Sequence, residues 1–344
     1  MFHLYEKMAA GGVYTIAEMS ANHAGKLENA LKLVHAAREM GADCLKIQTY
    51  TADTITLDCD AEDFMIHGGL WDGLRLYDLY QHAYTPWDWQ PRIKEECEKA
   101  GIDFLSTPFD PTAVDFLEKM GCEAYKIASF ELVDIPLIEY AAAKGKPMII
   151  SCGMGSQAEI QEAIDACRRM HNDQIVLLKC CSEYPTEPEN MHLCMISDMI
   201  RRFGVPVGLS DHSMGHMADV LAVAQGARVI EKHFCLSRQL KNPDSDFSME
   251  PAEFAEMVRQ VGVAAAMMGS VHYGPSPAEE EEFKCRRSLF VVKDIEPGER
   301  ITAENVRSVR PNSGLAPKYW KDVMGKRARR KLSYGMPLHW EDLE

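Results

Sequence analysis

The sequence lacks a C-x-x-C pair, an even cysteine count and any apolar run approaching 18 residues. The first two absences argue against a disulfide framework. The third argues against a membrane-spanning helix. The opening MFHLYEKMAAGG has no apolar core of the kind a secretory signal carries. Positive charge is also short: 37 Lys and Arg face 52 Asp and Glu, a net −15. A chain so acidic repels nucleic acid and anionic membrane as a whole. The eleven cysteines that are present sit mostly in apolar runs, as at Cys44, Cys97, Cys152, Cys167 and the pair Cys180 and Cys181. That usage suits reduced thiols in a cytoplasmic core.

What is there is an ordinary globular composition, 46% hydrophobic and 26% charged, over 344 residues. This length supports a full core and about two domains. The charge is uneven. Residues 284–331 hold fourteen Lys or Arg against five Asp or Glu, a net +9, which leaves −24 for the rest. The texture changes at the same place, after the proline-flanked acidic run at 279–282. We read a catalytic domain at 1–272, a linker at 273–286 and a small β-rich domain at 287–344.

Within the first domain, short β-branched runs alternate with helix-length polar stretches. Strands are expected at 13–18, 44–48, 103–106, 124–127, 148–151, 175–179, 207–209 and 228–233. Helices are expected at 27–40, 87–100, 111–120, 135–144, 156–170, 190–203, 217–225 and 251–268. Several helices end at glycine, and Asp110 before Pro111 and Ser156 have the chemistry of N-caps. Eight strand–helix units in this length fit a (β/α)8 TIM barrel. A doubly wound open sheet shares the local pattern and is the alternative. Residues 51–86 break the rhythm with an aromatic-rich insertion after the second strand, where an α/β barrel carries its binding loops.

Polar side chains gather where these strands end. They include Glu18, Lys46 and Gln48, Thr107, Lys126 with Ser129 and Glu131, Ser151, Ser182 with Tyr184, Ser210 with His212, and Glu231 with His233. Each alone has a structural reading as a cap or a paired charge. Together they describe one rim, and two lysines inside apolar runs need anionic partners. Lysines with hydroxyls suit a phosphate and a carboxylate, so a small polyanionic substrate is expected. His212 and His233 end consecutive strands and can converge, either as structural residues or as ligands of a divalent metal with open positions. The aromatic insertion either packs as a loop or lines a site for a sugar with apolar faces.

The strings IAEMSANHAG, KIQTY, STPFD, YKIASFE, IISCGM, GLSDH and EKHF succeed one another at successive strand ends. In this order they resemble the N-acetylneuraminate synthase family. The tail, from SLFVVKDIEPGERITAENV to GKRARRKLSYGMPL, is similar to that family's antifreeze-like (SAF) β-clip domain. TADTITLD, LWDG, LYDLY and TPWDWQ, with Ser182 in CCSEYP, resemble its pseudaminic acid branch. KNPD around Asp244 departs from the family's glycine-rich form but keeps the proline and the acid.

The resemblance implies that phosphoenolpyruvate condenses with an open-chain N-acylated amino sugar and water, releasing phosphate. For this branch the sugar is 2,4-diacetamido-2,4,6-trideoxy-L-altrose. The alternatives within the family are N-acetylneuraminate and legionaminic acid synthesis from other sugars. The resemblance also assigns residues. Lys46, Thr107, Lys126, Ser129, Ser151, Ser182 and Ser210 would hold phosphoenolpyruvate. Glu18, Gln48, Tyr184, Asp244 and Arg310 would hold the sugar. His212 and His233 would hold Mn2+ or Mg2+, and Glu131, Glu18 and Lys126 would act in catalysis. It implies a domain-swapped homodimer in which Arg310 reaches a partner's site. Rival readings are a metal-dependent or Schiff-base aldolase, and a non-catalytic sugar- or ice-binding protein built around the tail.

Overall fold

The structure, a computed structural model, describes residues 2–344. It divides into one unit that ends at Gly269 and a second that spans Ser270–Glu344. The first is a closed barrel of eight parallel strands: β1 (Tyr14–Glu18), β2 (Cys44–Thr49), β3 (Asp103–Pro108), β4 (Tyr125–Ile127), β5 (Met148–Ser151), β6 (Ile175–Cys180), β7 (Val207–Asp211) and β8 (Val229–His233). β1 pairs with β8 from Tyr14 opposite Val229 to Glu18 opposite His233, which closes the ring and excludes the open sheet.

Alternate residues of a strand face opposite sides, and here the two sides are two separate cores. Ala17, Leu45, Ile47, Ile127, Ile150, Leu177, Leu209 and Ile230 face the surrounding helices. Tyr14, Ile16, Cys44, Leu105, Ala124, Ile149, Val176, Leu178 and Val229 fill the barrel's interior. The interior apolar cluster occupies the amino-terminal half of the strands. A helix absent from the sequence reading, Leu4–Ala9, adds Leu4 to the same cluster and stoppers that end. His3 and Tyr14 fasten there to Asp103, whose Oδ2 accepts from the Tyr14 hydroxyl at 2.6 Å. The polar residues of each inward row therefore have only the carboxyl end of the barrel left to them.

The helices obey local rules. Asp110 accepts from the Thr112 and Ala113 amides and starts Pro111–Lys119. Ser156 and Glu159 form a reciprocal capping box at the start of Gln157–Arg169. Gly101 and Gly204 end their helices in the left-handed conformation that glycine adopts most cheaply. Two expectations need correction. The helix expected at 190–203 is shorter, Met195–Phe203, and a separate 3-10 turn at Pro188–Asn190 precedes it, because Pro188 suits only a first turn. The 51–86 insertion is not plain loop but carries Ala52–Ile55 and Leu76–Ala83.

The second unit holds a two-stranded antiparallel sheet, β9 (Ser288–Val291) and β10 (Val306–Val309). Isolated bridges such as Ile295 with Leu332 and Ala328 with Leu343 gather its own core, which includes Leu289, Ile301 and Leu338. A short helix, Glu280–Lys284, lies in the stretch read as linker.

Candidate active site

The inward rows converge on one pocket at the carboxyl end of the barrel. It is lined by Glu18, Lys46, Gln48, Thr107, Lys126, Ser129, Ser151, Cys180, Tyr184, Ser210, His212, Glu231 and His233, with Phe109 and Phe130 at its edge. About 390 Å³ lies between these side chains, part of it open to solvent at the mouth.

At its floor lies a buried charge network. Lys46 Nζ is 2.7 Å from Glu18 Oε2 and 3.4 Å from Glu231 Oε1. The same Glu231 oxygen is 3.5 Å from Lys126 Nζ and accepts from the Ser210 hydroxyl at 3.2 Å. One carboxylate thus serves two ammonium groups from β2 and β4. Gln48 donates to Glu18 Oε1 at 2.9 Å, and Lys46 donates to Thr107 at 3.4 Å. Burial pushes the Glu18 carboxyl up and Glu231 adds to this, against the pull of Lys46. Burial also raises Glu231, but Lys126 and Lys46 more than offset that and hold it below the usual carboxylate range. Lys126 goes down, because burial outweighs what its one shared carboxylate restores. Its ammonium is the under-compensated cation of the pocket.

Ser129, Ser151 and Ser210 line the same pocket as that ammonium. Ser151 and Ser182 each bury a hydroxyl with no protein partner. Ser129 accepts from the Gly153 amide at 3.1 Å. Gly153 sits so close that a methyl there would lie 2.6 Å from the Ser182 hydroxyl and 2.8 Å from that of Ser129. Three serines and one glycine, from the ends of β4, β5 and β6, thus form a cradle beside Lys126. Its hydroxyl donors suit the oxygens of a phosphate or carboxylate.

His212 and His233 meet with ring centroids 5.4 Å apart. His212 Nδ1 lies 2.8 Å from the Cys181 carbonyl, which leaves Nε2 free to bind outward. His233 Nδ1 is buried without a partner, and burial, His212 and the neighbouring lysines push its imidazole well below the usual histidine range. His212, with Nδ1 held by a carbonyl, has the anchored ring of a metal ligand, although against burial Cys180 and that carbonyl push its imidazole up; His233 lacks such an anchor. Among the described residues no group of three or more His, Cys, Asp or Glu is assembled for a metal. The donor set fits an ion held by two protein nitrogens, with its other positions open to water and substrate.

The remaining expected residues surround this pocket or stand apart from it. Glu131 lies beside the pocket with Oε2 buried and unpartnered, and burial pushes its carboxyl up to about 7 against the opposing effects of a backbone hydrogen bond and Lys126. Tyr184 stacks against His212 at 4.2 Å between centroids. Asp244 stands behind the lining, where its Oδ2 accepts from the Ala21 amide at 3.2 Å; Gln48 reaches the neighbouring Ser20 at 3.0 Å. Arg310 belongs to the second unit, where it is exposed. Strand parity also removes residues. Lys179 and Lys232 alternate outward; Lys232 binds Asp211, Ser213 O and Gly215 O, and Lys179 donates to the Cys180 carbonyl at 2.7 Å. Two residues gain weight over the sequence reading. Glu231 is the shared counterion of both lysines, and Cys180, read there as core, faces the pocket. The row Val176, Leu178, Cys180 carried that signal.

A barrel whose carboxyl-end pocket combines paired lysines, a hydroxyl cradle and two imidazoles is an enzyme site for a small anion beside a second, polar substrate. The chain belongs to the NeuB family, whose sequence pattern it matches over residues 33–273, followed by an SAF domain over residues 286–344. It is 45% identical to the pseudaminic acid synthase of Campylobacter jejuni over 335 residues, 96% of this chain and 97% of that one. Its identity to the pseudaminic acid synthase of Helicobacter pylori is 43% over 331 residues, 96% and 97% of the two chains. A crystal structure of N-acetylneuraminic acid synthetase from Leptospira borgpetersenii, in complex with citrate, superposes with a TM-score of 0.71 at 31% identity, covering 79% of this chain and 90% of that one.

The cradle makes a direct prediction. Gly153→Ala places a methyl against two hydroxyls, so phosphoenolpyruvate should bind at least about tenfold more weakly by calorimetry, while the melting temperature falls by only a few degrees and the protein stays folded. Unaltered affinity would take this cradle out of the anion site.

Proposed function

We propose that this chain condenses phosphoenolpyruvate with 2,4-diacetamido-2,4,6-trideoxy-L-altrose and water, giving pseudaminic acid and phosphate. Identity of 43–45% to pseudaminic acid synthases across 96% of the chain supports the choice of sugar. The observation that carries the chemistry is the Lys46 and Lys126 pair, which shares the Glu231 carboxylate in a pocket also lined by Thr107, Ser129, Ser151 and Ser210.

In this reading Lys46, Thr107, Lys126, Ser129, Ser151, Ser182 and Ser210 bind phosphoenolpyruvate through its carboxylate and phosphate. Lys126 then gains the full anionic partner that Glu231 only half supplies. Gln48, Glu18, Tyr184, Asp244 and a partner subunit's arginine at position 310 hold the open-chain sugar. Mn2+ or Mg2+, bound by His212 and His233, would supply Lewis-acid polarisation of the sugar aldehyde. The enol C3 of phosphoenolpyruvate attacks that carbonyl carbon, and the new alkoxide takes a proton. The positive character that grows at C2 is met by water. Glu131, its carboxyl poised near neutrality, faces that charge and removes the water's proton. Collapse to the ketone expels phosphate. Holding both substrates in one pocket converts their encounter into a local step, and that alone removes a large part of the barrier.

Exposed Phe130, Met154 and Met214 in the connections at the barrel's carboxyl end, with Met217 at the start of the helix that follows β7, support a rim covered by a second copy. The +9 stretch of the tail and the acidity of the rest favour a homodimer with exchanged tails. Among the described residues no helix is long and apolar enough to cross a membrane. The eleven free cysteines support a cytoplasmic enzyme.

The test is phosphate release from phosphoenolpyruvate with Mn2+ and three sugars, of altrose, manno and legionaminic-precursor configuration. Release should require the sugar, be fastest with the altrose compound and stop with a chelator. Release fastest with another sugar would move the chain to a sister activity, and aldol cleavage without phosphate would favour the aldolase. For Glu131 the expected kcat rises as pH passes about 7, and Glu131→Gln lowers kcat by about 10²-fold or more with little change in phosphoenolpyruvate affinity. The stability sign is opposite. A carboxyl raised from its ordinary 4.5 holds its proton more tightly in the fold, so its contribution is lost as pH rises towards about 7. Glu131→Gln should therefore raise the melting temperature more at pH 8 than at pH 5. A flat pH profile, or an equally active variant, would remove Glu131 from proton transfer.

A further inference from the structure

The insertion after β2 is tied down more firmly than an aromatic loop needs to be. Arg75 pairs with Asp58, Asp60 and Asp78, and the 66–74 segment closes on itself through the Ile66 and Gly73 amides. Its tip leaves Leu70 and Leu74 to solvent but turns Trp71 inward. The indole Nε1–H donates to the Pro243 carbonyl at 3.1 Å, fixing the insertion to the loop after β8. The ring packs on Tyr184 at 5.7 Å. Tyr184 in turn lies on His212 at 4.2 Å and on Phe247 at 5.3 Å. Trp71, Tyr184 and Phe247 thus make a continuous apolar wall that starts at the imidazole pair and leads away from it.

Trp71 stands within about 10 Å of His212 along that wall. An extended six-carbon chain spans about 6 Å from first to last carbon. With the aldehyde at the imidazoles, C6 falls against the indole. We infer that Trp71 is a specificity residue of the sugar subsite, whose indole face receives the C6 methyl and favours a 6-deoxy sugar over its 6-hydroxy counterpart. The inference rests on the functional reading above, because that reading sets which end of the sugar faces the histidines. An apolar surface of this kind gains from a methyl but rejects an added hydroxyl only moderately, by up to about 10²-fold.

The experiment compares wild type, Trp71→Ala and Trp71→Phe with 2,4-diacetamido-2,4,6-trideoxy-L-altrose and its 6-hydroxy analogue. It reads kcat/KM, and sugar affinity by calorimetry with phosphoenolpyruvate present and the metal removed by chelator so that no turnover occurs; melting temperature checks the fold. Wild type should prefer the 6-deoxy sugar by about tenfold or more. Trp71→Ala should shrink that preference to within about threefold, through the sugar's KM and affinity, with the KM for phosphoenolpyruvate unchanged. Trp71→Phe keeps an apolar ring but loses the bond to Pro243, and should keep most of the preference. Wild type active without a preference, or a preference that survives Trp71→Ala, overturns this inference alone. Wild type inert with both sugars overturns the functional reading and the inference with it.

Discussion

Two lysine ammonium groups buried around one glutamate oxygen are the constraint on which this molecule turns. Removing such ions from water costs several kcal/mol each, and their attraction offsets it only when every partner is in place. Here the compensation is incomplete. Lys46 has Glu18 at 2.7 Å, while Lys126 has only a share in Glu231 at 3.5 Å. Ser151, which lines the same pocket, keeps a buried hydroxyl without a protein partner. A fold selected for stability alone would close this with apolar side chains. Leaving it open makes a site that gains from an incoming dianion what the empty protein lacks.

The barrel makes the arrangement tolerable by separating the problem into levels. The interior is apolar from the amino ends of the strands up to Leu105, Ile149 and Leu178, and the Leu4–Ala9 helix seals it below. Polar residues begin only at the next inward step. Glu18 and Lys46 are register partners on β1 and β2, Glu231 stands opposite Ile16 on β8, and the long side chains close the stagger so that Glu18, Lys46, Lys126 and Glu231 meet. The outward residues solve a different task. Lys232, bound to Asp211 and to two carbonyls of the 213–215 turn, ties the end of β8, next to His233, to the loop after β7 that carries His212.

Much of this is readable in the sequence. The eight strand positions follow from β-branched runs, and the pairing of Lys46 with Gln48 on one face follows from a period of two. The motifs then supply the family and the site residues. What local sequence does not carry is closure: an open sheet has the same strand–helix rhythm, and only the pairing of β1 with β8 decides. Glu231 illustrates the same limit. Its sequence neighbours mark it as a strand-end acid, but its role arises from lysines that lie 105 and 185 positions earlier. Trp71 is visible only as one aromatic among several, because its partners Pro243 and Tyr184 come from two other loops. The helices inside the insertion escape detection for a related reason: four and eight residues are too few to show a helical period.

The central claim is that Lys126 is held in the pocket for a substrate anion and not for the barrel's stability. Lys126→Met separates the two, since it removes a buried charge while Glu231 keeps Lys46 and Ser210 as partners. The measurement is the phosphoenolpyruvate dissociation constant of this variant, read beside its urea midpoint. The account predicts affinity at least about 100-fold weaker with a midpoint equal to or above that of wild type. Affinity preserved, or a midpoint that collapses with the lysine, would contradict it.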